Sequence, residues 1–160
     1  MNPNRVVPTI EDDGFVLWES NVIVRYLAAK HGPGEFYPGD LMERADADRW
    51  MDWQQTTLWA ALRPLFLGLV RTPEAQRDHA ALAAAQRESE RALGVLDRYL
   101  ADRRFVAGER FTMGDIPNGI AVHRWFALPL DRPEFRNVAR WYGSLTERPG
   151  CRTHVMQPLT

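Results

Sequence analysis

Hydrophobic and polar positions follow two different periods along this chain, strand-like at the start and helical afterwards. Residues 6–10 and 15–18 are short runs rich in β-branched and aromatic side chains, and an acidic turn ending in Asp13-Gly14 separates them. Because Asp-Gly readily adopts the positive φ angles of tight turns, the pattern predicts an antiparallel hairpin. Pro8 has no amide to donate, so we expect it at an edge, a bulge or a special turn, with a cis Val7–Pro8 bond as one option.

From Ser20 onward the apolar residues recur at helical spacing. They predict a helix over about residues 21–31, which Ser20 would cap and Gly32-Pro33 would end. The next residues are dense in glycine and proline, and no strand pattern appears beyond them, which favours a domain boundary. We therefore expect a first domain over residues 1–32, a linker over 33–40 and a second domain over 41–160.

The pattern of the second domain predicts only helices. An apolar stripe indicates a long helix over residues 41–70 with a kink at Pro64, and Thr72-Pro73 is typical of the start of another helix that runs to about residue 100. Further helices are expected over about 115–127 and 133–148, the last one stopped by Pro149-Gly150. The predicted fold class is mainly α, with an all-helical domain after a partial α/β piece made of a β-hairpin and one helix.

Thr112 and Asp115 have the spacing of a capping box at the start of the 115–127 helix. We expect the Thr112 hydroxyl to accept from the Asp115 amide while the Asp115 carboxylate accepts from the Thr112 amide. Asp115 is a shorter variant of the usual Glu or Gln. This pair is predicted to be structural, with no catalytic role.

Composition removes several classes of partner. Lys and Arg number 20 against 21 Asp and Glu, so the formal net charge of -1 gives no basic field for nucleic acid or an anionic membrane. No signal peptide and no membrane-spanning run is apparent, so a cytoplasmic location is the expectation. Cys151 is the only cysteine, which excludes an internal disulfide, and no Cys/His spacing indicates a metal site. Cys151 has no base beside it in the sequence, so we do not expect it to be a nucleophile.

The succession of hairpin, helix, linker and helical domain resembles the soluble glutathione transferases. A later helix opens with the Phe-Thr-x-x-Asp-Ile run that begins at Phe111, and the most specific pieces are Asn2-Pro3-Asn4, Val7-Pro8, Glu11-Asp12-Asp13-Gly14, Trp18-Glu19-Ser20-Asn21 and Tyr26-Leu27. The resemblance covers residues 3–157 and is to a bacterial enzyme of the theta, nu or beta-like group. It implies a thioredoxin-like first part, glutathione and a small hydrophobic electrophile as substrates, and a homodimer. Beta-class members carry a histidine and a lysine where this chain has Trp59-Ala60, which counts against that class.

The resemblance implies a glutathione-binding set made of Val7, Pro8, Glu19 and Ser20. In the family, the residue before the proline pairs its backbone with the cysteinyl part of glutathione. At Glu19-Ser20, a helix N-terminus and a hydroxyl suit the γ-glutamyl carboxylate, while the Glu19 carboxylate suits the ammonium group. The alternative reading of the same residues is that Ser20 only caps a helix and Glu19 only favours its dipole.

A hydrophobic-substrate pocket is the least determined part of the prediction. Thr56, Trp59 and Arg63 lie near where family members place their electrophile, and we take them as candidate pocket residues. Trp50 and Trp53 could line that pocket or a dimer seam, although core packing is the simpler expectation.

In the family, the residue that activates the glutathione thiol lies in a first strand–helix–strand unit, and this chain begins after the part that matches it. The resemblance therefore implies no catalytic residue here. We expect an N-terminally shortened transferase that is inactive alone, with a hairpin less stable than the helical domain. The alternatives are a non-catalytic dimerisation or partner-binding module and a decayed gene product.

Overall fold

The computed structural model describes residues 2–159 and consists of a β-hairpin followed by helices. The strands are β1 (Thr9–Asp12) and β2 (Phe15–Trp18), and the α-helices are α1 (Ser20–His31), α2 (Leu41–Trp53), α3 (Trp59–Phe66), α4 (His79–Tyr99), α5 (Asp115–Ala127), α6 (Arg136–Thr146) and α7 (Pro149–His154). Two π-helical turns, Gln54–Leu58 and Leu67–Arg71, continue the helix on either side of α3, and 3-10 turns occupy Glu74–Gln76 and Leu100–Asp102. The mainly helical fold class is therefore confirmed.

The hairpin forms as predicted, but its first strand is shorter. β1 and β2 pair antiparallel, with Thr9 opposite Trp18 and the tight turn at Asp13 and Gly14, whose φ angles are 51° and 81°. Of the apolar run over residues 6–10, only Thr9 and Ile10 lie in β1, because Pro8 cannot donate to a ladder and the strand begins only after it. The Val7–Pro8 bond is cis.

Charged side chains fix α1 between the hairpin and the helical domain. On the hairpin side, Asp12 accepts hydrogen bonds from the Tyr26 hydroxyl, at 2.7 Å, and from Lys30. On the other side, Arg25 of α1 forms ion pairs with Asp48 and Asp52 of α2. The hairpin is thereby attached to the helical domain through α1, which places the hairpin's proline end near α2 and the helix that follows it.

The helical domain has one large apolar core and a smaller apolar cluster around Met51. α3 packs mainly on α4, and α5 packs on α2 and α6. Its largest fully buried side chains include Trp125, Trp141, Met51, Leu58, Leu62 and Leu93. Trp50 is buried in this core and Trp53 packs against it, which agrees with the simpler expectation for both residues.

The helix boundaries predicted at Thr72 and at Pro149 are both wrong. Thr72 does not open α4; its hydroxyl and amide both donate to the Leu67 carbonyl and so close the preceding turn. α4 starts only after Asp78, whose carboxylate accepts from the Ala81 amide at 3.0 Å. Pro149 does not simply stop a helix: α6 ends at Thr146, and Pro149 becomes the first residue of α7.

The predicted capping box at α5 is correct for Asp115 and wrong for Thr112. The Asp115 carboxylate accepts from the Thr112 amide at 2.9 Å, whereas the Thr112 hydroxyl accepts from the Gly114 amide at 3.3 Å. Asp115 also accepts from the Val106 amide at 3.0 Å and from the indole nitrogen of Trp141 at 2.9 Å. This carboxylate therefore joins α5, α6 and the loop between α4 and α5 at one buried point.

Candidate functional site

A cleft of about 420 Å³ lies where the start of α1 meets the helical domain. The residues that line it come from the hairpin's proline end, α1, the π-helical turn after α2, α3 and α5: Pro8, Ser20, Asn21, Val24, Gln54, Gln55, Trp59, Pro117, Ile120 and Arg124. Three of the residues predicted from the sequence, Pro8, Ser20 and Trp59, therefore share one concave surface. Clefts of this size between structural units are common sites for small molecules.

The N-terminus of α1 opens onto this cleft without a side-chain cap. Glu19 occupies the N-cap position and forms no capping bond, so the prediction that Ser20 is the N-cap is wrong: Ser20 is the first helical residue. By contrast, Asp40 accepts from two amides at the start of α2. Because the first-turn amides of a helix have no partners within the helix, α1 presents donors and a positive dipole end at the cleft.

The Ser20 hydroxyl and the Glu19 carboxylate, both at this helix start, have no partner among the described residues. The Ser20 hydroxyl is exposed and forms no hydrogen bond there, and the exposed Glu19 carboxylate forms no ion pair there. Glu19 has a φ of 74°, a conformation that costs a non-glycine residue about 1 kcal/mol or more and often occurs at ligand sites. The neighbouring Asn21 is committed elsewhere, since its buried side chain donates to the Met51 carbonyl at 2.8 Å.

Val7 lies next to Pro8, a cleft residue, in a bend before β1. Val7 is 90% exposed and precedes β1. Within residues 2–159, neither its backbone amide nor its carbonyl has a hydrogen-bond partner. Such a segment can pair with a peptide by strand addition, independently of its side chain.

Trp59 and Arg124 form the far wall of the cleft. The Arg124 guanidinium lies 4.6 Å from the centre of a Trp59 ring and 5.3 Å from that of Phe66. Burial lowers the pKa of Arg124 from its usual value. Sequence analysis missed Arg124 and Ile120, because α5 lies some sixty residues beyond α3 and only the tertiary fold brings them together.

Thr56 and Arg63 lie outside the lining of this cleft. Both are exposed, and the Thr56 hydroxyl donates to the Asp52 carbonyl of its own helix at 2.9 Å. The π-helical turn over Gln54–Leu58 contains more residues per turn than an α-helix, so it rotates the residues away from the faces that regular spacing would give them. As a result Gln54 and Gln55, rather than Thr56, share the cleft face with Trp59.

No group of His, Cys, Asp or Glu side chains in residues 2–159 is arranged to hold a metal ion. Within that same range, no helix is both long and apolar enough to cross a membrane.

Two family models match the chain, one to each part of the fold. The N-terminal domain of glutathione S-transferase matches residues 1–30, and the C-terminal domain of glutathione S-transferase matches residues 57–149. The second match alone covers more than half of the chain.

Individual relatives agree with the family models. The chain is 42% identical to the glutathione S-transferase GstB of Escherichia coli over 162 aligned residues, which cover 100% of this chain and 78% of that protein. It is 50% identical to the theta class glutathione S-transferase of Xanthomonas axonopodis pv. citri with glutathione bound, with a TM-score of 0.96 over 99% of this chain and 76% of that one. The chain belongs to the glutathione S-transferase family.

Proposed function

We propose that the cleft binds glutathione and that the family's reaction, attack of the glutathione thiolate on a small hydrophobic electrophile, defines its function. The carrying observation is the uncapped start of α1, where a free hydroxyl, unpartnered amides and a free carboxylate meet beside the cleft. The γ-glutamyl carboxylate binds the Ser20 hydroxyl and the first-turn amides, and Glu19 accepts from the ammonium group. The Val7 backbone, before Pro8, pairs with the cysteinyl part. The bound glutathione in the similar Xanthomonas structure supports the ligand's identity.

Calorimetric titration with glutathione tests this assignment. Ser20→Ala and Glu19→Gln should each weaken glutathione binding about tenfold, because each removes one charge-assisted hydrogen bond. Thr56→Ala is the matched control: it removes an exposed hydroxyl that bonds only its own helix, and it should leave the affinity unchanged. Equal affinity in all four proteins would refute the assignment of glutathione to this helix start.

The electrophile side of the cleft is proposed to be the wall that contains Trp59 and Ile120. S-hexylglutathione adds an apolar chain to the sulfur, and its affinity relative to glutathione reports this wall. Trp59→Leu should reduce S-hexylglutathione binding about tenfold while glutathione itself changes little, because the lost contact is apolar. Arg63→Met serves as the control, since Arg63 lies outside the cleft. If Arg63→Met had the larger effect, the pocket would lie along the outer face of α3 instead.

Among the described residues that line the cleft, Ser20 carries the only hydroxyl, and we assign it to the carboxylate rather than the thiol. We therefore expect the 160 residues to bind glutathione without lowering its thiol pKa, and to be inactive alone. The ultraviolet absorbance of the thiolate in bound glutathione measures this directly. Thiolate formation near neutral pH would contradict it. Binding without activation, in a chain that still dimerises, would favour the alternative of a non-catalytic dimerisation or partner-binding module.

We further propose a cytoplasmic homodimer whose contact includes the start of α2. Leu41 and Met42 are adjacent apolar residues there that are 72% and 81% exposed, which is unusual for a monomer surface. Sedimentation velocity should show a dimer that Met42→Asp converts to monomer at micromolar concentration, whereas Met156→Asp, at another exposed methionine, should not. A monomeric parent chain at every concentration tested would rule out this interface.

A further inference from the structure

A cavity of about 370 Å³ lies where the segment after α1 meets the loop between α4 and α5. It shares no lining residue with the cleft that we assign to glutathione. Its lining combines three arginines with aromatic rings and one carboxylate, and includes Glu35, Phe36, Arg104, Arg110, Phe111 and Arg148. Three guanidinium groups therefore border one small volume.

Arg148 is held at this cavity by aromatic rings alone. Its guanidinium lies 3.9 Å from the centre of the Phe111 ring and 5.8 Å from that of Phe36. Within residues 2–159 this guanidinium forms no ion pair and no hydrogen bond. Because a ring contacts the flat face of a guanidinium, its N–H donors stay available at the edge. The rings thus orient Arg148 without neutralising its charge.

Arg104 is a second guanidinium that lacks an acidic partner in the described part of the chain. It is exposed, and it lies 5.5 Å from the centre of the Phe105 ring. The preceding residue differs, since Arg103 pairs with Asp102 at 2.6 Å. Of these two consecutive arginines, the one without an ion pair is the one that lines the cavity.

Arg110 fixes the wall of the cavity. It donates to the Gly34 carbonyl at 3.0 Å and pairs with Glu43 at 2.7 Å, so it ties the loop before α5 to the segment after α1. Glu43 offsets its charge. The exposed Glu35 is the one carboxylate of the lining, which leaves two unpaired guanidinium groups against a single acid.

We propose that this cavity binds a diphosphate group, either free pyrophosphate or the phosphate chain of a nucleotide. A guanidinium matches the geometry of a phosphate with two parallel hydrogen bonds, and two such groups suit two linked phosphates. One phosphate pairs with Arg148 and the other with Arg104. This site goes beyond the proposed glutathione binding and does not depend on it.

Calorimetric titration in magnesium-free buffer of low ionic strength tests the ligand class, because salt screens exposed charges. Pyrophosphate should bind one to one and about tenfold more tightly than inorganic phosphate, since it contacts two guanidinium groups. ATP should bind at least as tightly as pyrophosphate. Tighter binding of ATP supports the site with a nucleotide as its ligand, and equal binding supports it with the diphosphate alone. Adenosine should not bind, and adenosine as tight as ATP would overturn the proposal.

Arginine variants identify the contacts. Arg148→Met and Arg104→Met should each weaken pyrophosphate binding about tenfold and remove its preference over phosphate. Arg152→Met is the matched control: it changes the net charge equally but removes an exposed arginine outside the cavity, and it should preserve the affinity. Circular dichroism and thermal unfolding establish that each variant is folded.

A gain of affinity provides a second test, which loss of folding cannot imitate. Glu35→Gln removes the one carboxylate of the lining and should tighten pyrophosphate binding about threefold, because like charges no longer repel. Glu74→Gln, at an exposed carboxylate outside the cavity, should leave the affinity unchanged. Equal affinities in these two variants would count against the cavity.

The proposal is overturned if pyrophosphate does not bind at millimolar concentration, or if Arg152→Met weakens it as much as Arg148→Met does, which would indicate diffuse attraction to surface charge. It is also overturned if glutathione at saturation displaces pyrophosphate, which would place the probe in the cleft. Failure of the chain to bind glutathione would leave all of these outcomes unaffected.

Discussion

Replacing Asp115 with alanine should destabilise the protein by about 4 kcal/mol, a large part of the total stability of a domain. The substitution leaves three buried N–H donors without an acceptor: the amides of Val106 and Thr112 and the indole of Trp141. Because each unsatisfied buried donor costs about 1–3 kcal/mol, this one carboxylate should outweigh any surface residue. Urea unfolding at pH 7 measures the loss.

Asp78→Ala is the matched control for that experiment. Asp78 also caps a helix, but it is exposed and accepts one bond, from the Ala81 amide. Its removal should cost about 1 kcal/mol, the usual value for an exposed N-cap. If the two variants lost the same stability, Asp115 would be an ordinary cap and not the junction of α5, α6 and the loop before α5.

The same carboxylate should make stability depend on pH. Burial raises the pKa of Asp115 from 3.8 to about 6, although the hydrogen bonds it accepts oppose this rise. Between these values the folded chain retains a proton that the unfolded chain releases, so stability falls as pH rises from about 4 to about 6. The gap between the two pKa values corresponds to about 3 kcal/mol.

Asp115→Asn isolates this contribution, because asparagine does not titrate and the other ionisable groups are shared. Hydrogen bonds from Lys30 and Tyr26 lower the pKa of Asp12, so Asp12 makes stability rise with pH. Parent and variant share this contribution, and it cancels when their free energies of unfolding are subtracted. The parent's free energy of unfolding minus the variant's should decrease by about 2 kcal/mol between pH 4 and pH 7. A constant difference, or one that increases over this range, would contradict the assignment.

Local signals in the sequence predicted the elements that depend on a few adjacent residues. Asp13-Gly14 identified the hairpin turn because its geometry requires positive φ angles, and Asp115 identified the start of α5 because a carboxylate three residues after Thr112 can reach the Thr112 amide. Where two candidates competed, the pattern was not sufficient. Thr72-Pro73 has a favourable composition for a helix start, but the preceding turn uses the Thr72 hydroxyl, and Asp78 caps α4 instead.

The candidate site was predictable only in part. Pro8, Ser20 and Trp59 were candidates because the resemblance to the family indicates their positions, and all three line one cleft. The sequence pattern does not reveal the π-helical turn at Gln54–Leu58, so regular helical spacing could not indicate that Gln54 and Gln55 line the cleft. Arg124 belongs to a distant helix, and only the packing of α5 against α3 makes it a neighbour of Trp59.

The most direct test of the account is where glutathione binds. In ¹H–¹⁵N spectra of the labelled chain, addition of glutathione should shift the backbone amides of Val7, Ser20 and Asn21 together, with one saturation curve. The amides of Cys151, in α7, and Val155, directly after it, lie outside the cleft and should not shift. Absence of any shift at saturating glutathione, or shifts confined to α7 and the residues after it, would contradict the assignment of the α1 cleft as the glutathione site.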